Sequence, residues 1–442
     1  MIRSMNGIDA RVKRWVQPQA FQCGKEGGQM KTLRWLPLVA LLSTMLIGAG
    51  VQGQTRKDWL KGFKNPSEGF EIARQGLFFV NGEYYTSQTE TTTATCSTAP
   101  EPCQYMAGQM YVEYQVPKNV RHPYPVVMIH GAGQTGTNFL STPDDRPGWA
   151  QFFLANGYAV YVVDQTGRGR SVYTTELYGP TRPPFDVDGR VRNWSAQQEF
   201  KLFPKAELHT QWPGTGKPGG PFFDQFYASQ VQLMVDGIKT QQYAQKALSA
   251  LLDKIGPAIL LTHSQSGTFG FLAADKRPDL VKAVITVEGG GTPRGFIAVG
   301  PPKWFEDAPP PDVTWGIASI PVTYSPAVTD PKQLNFVQEP APAPGQPVRC
   351  WVQATPARQL PNLKRMPHLL VVGEASAASS TNHCVSRYLT QAGVENTWVN
   401  LGDVGIHGNG HMMMLEKNSL EIAAFLAGWL KTNVEQGAKE TR

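Results

Sequence analysis

"AILLTHSQSGTFGFLAAD", residues 258–275, runs from an apolar stretch through a polar turn into a second apolar stretch with helical character. Four to six buried residues followed at once by a serine and then a helix is the arrangement that lifts a nucleophile above a sheet on a strained turn. The turn holds two serines, Ser264 and Ser266, and lacks the glycines that usually sit two residues before and after the nucleophile. With Ser264 as nucleophile those positions are Thr262 and Ser266, and Gly267 follows; with Ser266 they are Ser264 and Thr268. The apolar run ends at Leu261, which puts Ser264 at the required distance from the strand. Two serines merely capping a helix would account for one of them, but not for the strand, His263 and Gly267 together.

Outward from this turn the chain alternates. "PVVMIHGAG" (125–133), "YAVYVVDQTGRGRS" (158–171), "KAVITVEGG" (282–290), "HLLVVGEAS" (368–376) and "TWVNLGD" (397–403) read as buried strands. "WAQFFLANG" (149–157), residues 228–256 with a break near Gly237, and "SLEIAAFLAGWLKTNVEQ" (419–436) read as helices. Buried strands alternating with helices predict an α/β fold with a mainly parallel sheet covered on both faces. "GLFFVNGEYYT" (76–86), with Asn-Gly between apolar runs, predicts a hairpin, and "QMYVEYQVP" (109–117) another antiparallel strand. Residues 172–227 and 291–365 interrupt the alternation at the C-terminal ends of strands, where loops surround the site in such sheets, and are read as cap or lid segments. No internal repeat is evident.

A serine needs a base, an orienting acid and an oxyanion site. In this chain order the base follows the last strand. "GDVGIHGNGHMMMLE" offers His411, with His407 in reserve; His263 and His130 are read as structural. In the segment "HLLVVGEASAAS", which carries the strand before the last, the usual acid position holds Ser376. Glu288, at the end of "AVITVEGGG", is the substitute, with Glu374 and Asp403 as competitors. Gln265 N–H and an N–H of the "HGAGQTG" loop, Ala132 before Gly133, are the expected oxyanion donors.

These residues resemble the α/β-hydrolases, over residues 76–436. More narrowly, "THSQSG", "VEGGG" and "GIHGNGHMMM" resemble the bacterial esterase 713-like family. That resemblance implies Ser264, Glu288 and His411 as the catalytic set of an exported, disulfide-bearing carboxylic-ester hydrolase acting on a small-molecule ester. Such a mechanism needs no metal or cofactor. A lactonase or amidase with the same residues, or a non-catalytic binding module on the same fold, are the rival expectations.

The bulk properties agree with export. The chain has 442 residues and a net charge of +6. Seven Lys/Arg against Asp9 and Glu26 lie in residues 1–53, so the remainder holds 34 basic and 33 acidic residues. A balanced chain without a basic tract gives no reason to expect nucleic-acid binding. "MKTLRWLPLVALLSTMLIGAGVQGQ", from Met30, has the pattern of a secretory signal. The expected division is therefore a mis-assigned or non-native 1–29, a signal peptide at 30–53, and one domain over 54–442. The apolar run is shorter than the ~20 residues of a membrane span, so no stable anchor is expected after cleavage. Removing the leader leaves Cys96, Cys103, Cys350 and Cys384. Four cysteines allow three pairings; the short "CSTAPEPC" loop favours Cys96 with Cys103, and Cys350 then with Cys384.

Overall fold

The computed structural model describes residues 58–89, 96–98, 101–291, 296–307 and 314–435; the expected extension and signal peptide lie outside them. Eight strands form the central sheet: β1 (Ile72–Val80), β2 (Met110–Pro117), β3 (Val126–Ile129), β4 (Val160–Asp164), β5 (Ala258–His263), β6 (Val281–Val287), β7 (His368–Val372) and β8 (Asn396–Asn400), in the order β1-β2-β4-β3-β5-β6-β7-β8. From β4 to β8 all pairs are parallel, and β2 is antiparallel to both β1 and β4.

Side-chain alternation divides the core into two layers. Val126, Met128, Ile259, Leu261 and Ile285 face one way and join α1 (Trp149–Ala155) and the C-terminal helix Ser419–Leu430. Val127, Ile129, Leu260 and Val284 face the other way, onto α2 (Gly237–Ile255), α3 (Ser266–Lys276) and α4 (His383–Gln391). Strands covered on both faces must be apolar throughout, which is why β3, β5 and β7 read as continuous runs.

Three local readings change. Asn81 and Gly82 make a turn, but its flanking strands do not pair with each other. β1 pairs with β2, and Glu83–Thr86 pairs with Gln104–Ala107. A two-residue hairpin of the type favoured by Asn-Gly needs positive φ at both positions, and here only Asn81 has it (62°). The helix expected from 228 begins at Gly237, because Asp236 caps it by accepting from Lys239 N–H. Before it, Leu233–Met234 pairs with Thr181–Arg182. Within 291–365, residues from Trp315 onward join the core beside α3 (Ile317, Ile320, Tyr324 and Leu360 are buried there), whereas Ala298–Gly300 and Phe305 face the cavity described below.

Cys96 is bonded to Cys103 and Cys350 to Cys384. Among the described residues, no helix is long and apolar enough to cross a membrane.

Candidate active site

The register of β5 and β6 puts the site together. His263 pairs with Val287 across the parallel ladder, so the next residues, Ser264 and Glu288, leave adjacent strands side by side. Both have positive φ, 54° and 56°. Non-glycine residues take this conformation at a cost and hold it only where the surroundings enforce it. Ser264 is held by its N–H donating to Val287 O (2.9 Å) and its carbonyl accepting from Gly267 N–H (3.0 Å). Glu288 N–H donates to Val371 O at 2.8 Å.

The absent glycines of the turn are replaced by specific packing. Thr262 is fully buried; its hydroxyl donates to Ile285 O at 3.0 Å. The room for its methyl comes from the helix, where a Cβ on Gly270 would lie 2.8 Å from Thr262 Cγ2. The glycine that lets strand and helix approach has moved from the strand to α3. Gly267 serves the next contact, against the backbone of Gly290.

Ser266 has a different task from Ser264. Its buried hydroxyl accepts from His263 N–H (2.8 Å) and lies 2.7 Å from Ile129 O, to which it donates. It ties β5 to β3. Ser266→Ala removes both bonds and orphans a buried N–H, for which about 1–3 kcal/mol of stability is expected to be lost. Urea denaturation measures that loss, and turnover by the intact Ser264 should persist in the folded fraction.

Around Ser264 the polar groups form a chain. Ser264 Oγ donates to His411 Nε2 at 3.1 Å, and His411 Nδ1–H donates to Glu288 Oε2 at 2.9 Å. Glu288 is buried, its Oε1 accepting from Gly373 N–H (2.6 Å) and its Oε2 from Ser376 Oγ–H. Burial pushes its carboxyl up to about 8, with the bonds from Ser376 and Gly373 pulling down and the Glu416 carboxylate adding to the rise. The competitors stand elsewhere in the chain's local structure. Glu374 pairs with the exposed His407 (Nδ1 to Oε1 3.1 Å) and accepts from Gly408 N–H, and Asp403 lies in the helical turn Leu401–Val404 after β8.

The other two histidines hold backbone. His263 Nε2–H donates to His411 O at 2.9 Å, fixing the loop that carries the imidazole. His130 Nδ1–H donates to Gly131 O at 2.8 Å, and its Nε2 accepts from Gln165 N–H at 3.0 Å. Burial keeps both rings well below the usual histidine range, hence neutral. Gly131 is so close to the turn that a Cβ there would sit 3.0 Å from Ser264 Cβ, which sets the Gly131–Gly133 loop, Ala132 included, beside the serine. Arg168 bridges that loop to the turn, donating to Gly131 O (3.1 Å) and to Gln265 Oε1 (2.9 Å).

All of this opens onto a cavity of about 970 Å³. Ser264, Gln265, Glu288 and His411 line it, with Trp194 and Phe203 from 172–227 and Phe305 from 291–365. Trp194 stacks on His411, ring centroids 4.9 Å apart.

The family model described as "Alpha/beta hydrolase family" matches residues 126–425. The chain belongs to the alpha/beta hydrolase family. Among curated proteins, this hydrolase is similar to "Probable secreted lipase phiG" from a fungal species (strain ATCC 74256), with 45% identity over 332 residues, 74% of this chain and 87% of that one. Among solved structures it is similar to one described as a novel bacterial esterase, at TM-score 0.55 and 24% identity, covering 84% of this chain and 99% of that one.

Sequence reasoning about this hydrolase missed four groups: Arg168, Trp194, Ser376 as a donor, and Glu416. Ser376 carried a signal, since it stands where the acid usually does; a hydroxyl there completes the solvation of an acid supplied by the neighbouring strand. Glu416 is fully buried. It accepts from His209 Nε2–H (2.8 Å), Asn409 Nδ2 (2.7 Å) and Gly410 N–H (2.9 Å), and so shapes the loop just before His411. Trp194 lies in a π-helical turn, Val191–Ser195, whose register has no sequence periodicity to announce it.

Proposed function

We propose that the chain is an exported serine ester hydrolase in which Ser264 is the nucleophile, His411 the general base and acid, and Glu288 the orienting carboxylate. The observation that carries this reading is the unbroken relay from Ser264 Oγ to His411 to Glu288, at 3.1 and 2.9 Å, opening on a cavity. Ester hydrolysis as the reaction class, and export, are supported by the 45% identical relative, whose name is that of a secreted lipase. Two disulfides fit an oxidising compartment.

Ser264 Oγ attacks the ester carbonyl as its proton passes to His411 Nε2. Glu288 holds the Nδ1–H tautomer and stabilises the imidazolium. The N–H groups of Gln265 and Ala132 receive the oxyanion; Gln265 opens α3, whose N-terminal dipole favours negative charge there. His411 returns the proton to the leaving alcohol. Water, activated by the same imidazole, then splits the acyl-enzyme. Trp194 covers one face of His411 and Phe203 and Phe305 line the cavity, so we read these parts of 172–227 and 291–365 as a cap over the acyl-transfer site.

A fluorophosphonate probe tests the assignment. Peptide mapping should find the adduct on Ser264, and a matched panel should show turnover of an ester above that of the corresponding lactone and amide. Labelling at Ser266, or no labelling, would reject the nucleophile.

A further inference from the structure

Arg190 places an unmatched positive charge in the cavity wall. The residue is 7% exposed, and its Nε and Nη1 are sealed from water with no hydrogen-bond partner. The guanidinium lies 4.0 Å over the Phe185 ring and 3.4 Å over the Trp194 ring. Aromatic faces attract a cation, but they do not replace directed acceptors for its N–H groups. Burial brings the guanidinium down to about 10, with the Asp186 charge acting the other way, so it remains a cation at neutral pH. Asp186 is itself engaged, capping the helix Val187–Arg190 by accepting from Gly189 N–H at 2.7 Å.

The surroundings bear on what could answer that charge. Among the described residues that line the cavity, Arg190 is the sole lysine or arginine and Glu288 the sole acid. Both Glu288 oxygens are taken, by Gly373, Ser376 and His411. Trp194 contacts both groups, with the His411 ring centroid at 4.9 Å and the Arg190 guanidinium at 3.4 Å from its ring. The cation and the imidazole that faces Ser264 thus share one indole as a neighbour in the wall of the same cavity.

We propose that Arg190 anchors a carboxylate on the substrate, so that the preferred substrates are half-esters whose free carboxylate occupies a subsite beside Trp194 while Ser264 attacks the ester carbonyl. The proposal rests on the ester-hydrolase reading of Ser264. Nε and Nη1 are closed to a ligand as they are to water, so the carboxylate meets the charge at Nη2, the guanidinium nitrogen that is not sealed, through one charge-assisted hydrogen bond.

Two measurements test it. The first compares kcat/KM for mono-p-nitrophenyl adipate and p-nitrophenyl hexanoate, whose acyl chains differ by a terminal carboxylate. The wild type should favour the adipate by about tenfold or more, the scale of one charge-assisted hydrogen bond. Arg190→Met should abolish that ratio and Arg190→Lys should retain part of it. No preference in the wild type, or an equal loss on both substrates in Arg190→Met, would overturn the proposal; the latter would reduce Arg190 to a support for Trp194. The second uses calorimetry on the Ser264→Ala protein with monomethyl and dimethyl adipate. Tighter binding of the monoanion supports the anchor, and equal binding overturns it even if Arg190→Met does not fold. Preference for the monoanion with no ester turned over by the wild type would instead reject the hydrolase reading and leave the anchor standing.

Discussion

Ser264→Ala is expected to lower kcat for a p-nitrophenyl ester by about 10³-fold or more, because it removes the hydroxyl that faces His411 Nε2 at 3.1 Å. The fold should not change. Ser264 is positioned by its backbone bonds to Val287 and Gly267, which alanine keeps, and the hydroxyl that ties β5 to β3 belongs to Ser266. The expected signature is thus loss of turnover with an unshifted melting temperature, the reverse of Ser266→Ala. Any residual rate comes from the oxyanion donors and binding alone. Full activity in Ser264→Ala would remove the nucleophile from the mechanism.

Glu288→Gln should reduce kcat by roughly 10³-fold, through the tautomer of His411 and not through packing. Gly373 N–H can only donate, so the amide oxygen of a glutamine must stay at the position of Oε1. Its NH₂ group then faces His411 Nδ1, which must become an acceptor. The ring proton moves to Nε2, and no lone pair is left for the Ser264 proton. The same environment sets the pH dependence. Both Glu288 and His411 must have lost their extra proton for the relay to act, and burial raises the Glu288 carboxyl to about 8. A raised value moves the acid limb upward, so kcat/KM should climb with pH through the neutral range to a plateau on the alkaline side. Its apparent pKa belongs to the coupled pair and should exceed the ~6.5 of an ordinary histidine. A pH–rate profile checks this, and a limb centred well below pH ~6 would contradict it. Glu374→Gln and Asp403→Asn serve as comparisons and should leave the profile in place.

The buried strands were legible because a strand covered on both faces must be apolar at every position, whatever its neighbours. The turn at Ser264 was legible for a related reason: an apolar run ending three residues before a serine and a helix constrains the backbone locally. Glu288 was harder. It was inferred from an isolated carboxylate at the end of an apolar run, and the register that sets it beside Ser264 is a property of the β5–β6 pairing. The pairing of Glu83–Thr86 with Gln104–Ala107 was not legible, since Asn-Gly marks a turn without specifying which strands the flanks join.

Sequence by itself determined the alternating architecture, the order of Ser264, Glu288 and His411 along the chain, and the four cysteines Cys96, Cys103, Cys350 and Cys384. These are local properties, written in hydrophobic period and in residue type. Tertiary structure decided what each group touches. It separated Ser264 from Ser266, moved the accommodating glycine from the strand to Gly270, and matched Ser376 to Glu288. It also brought Trp194 and Arg190, some seventy residues before the serine, to the wall of the site. The physical reason is that hydrogen bonds and close packing are made between segments distant in the chain, and no period within one segment records them.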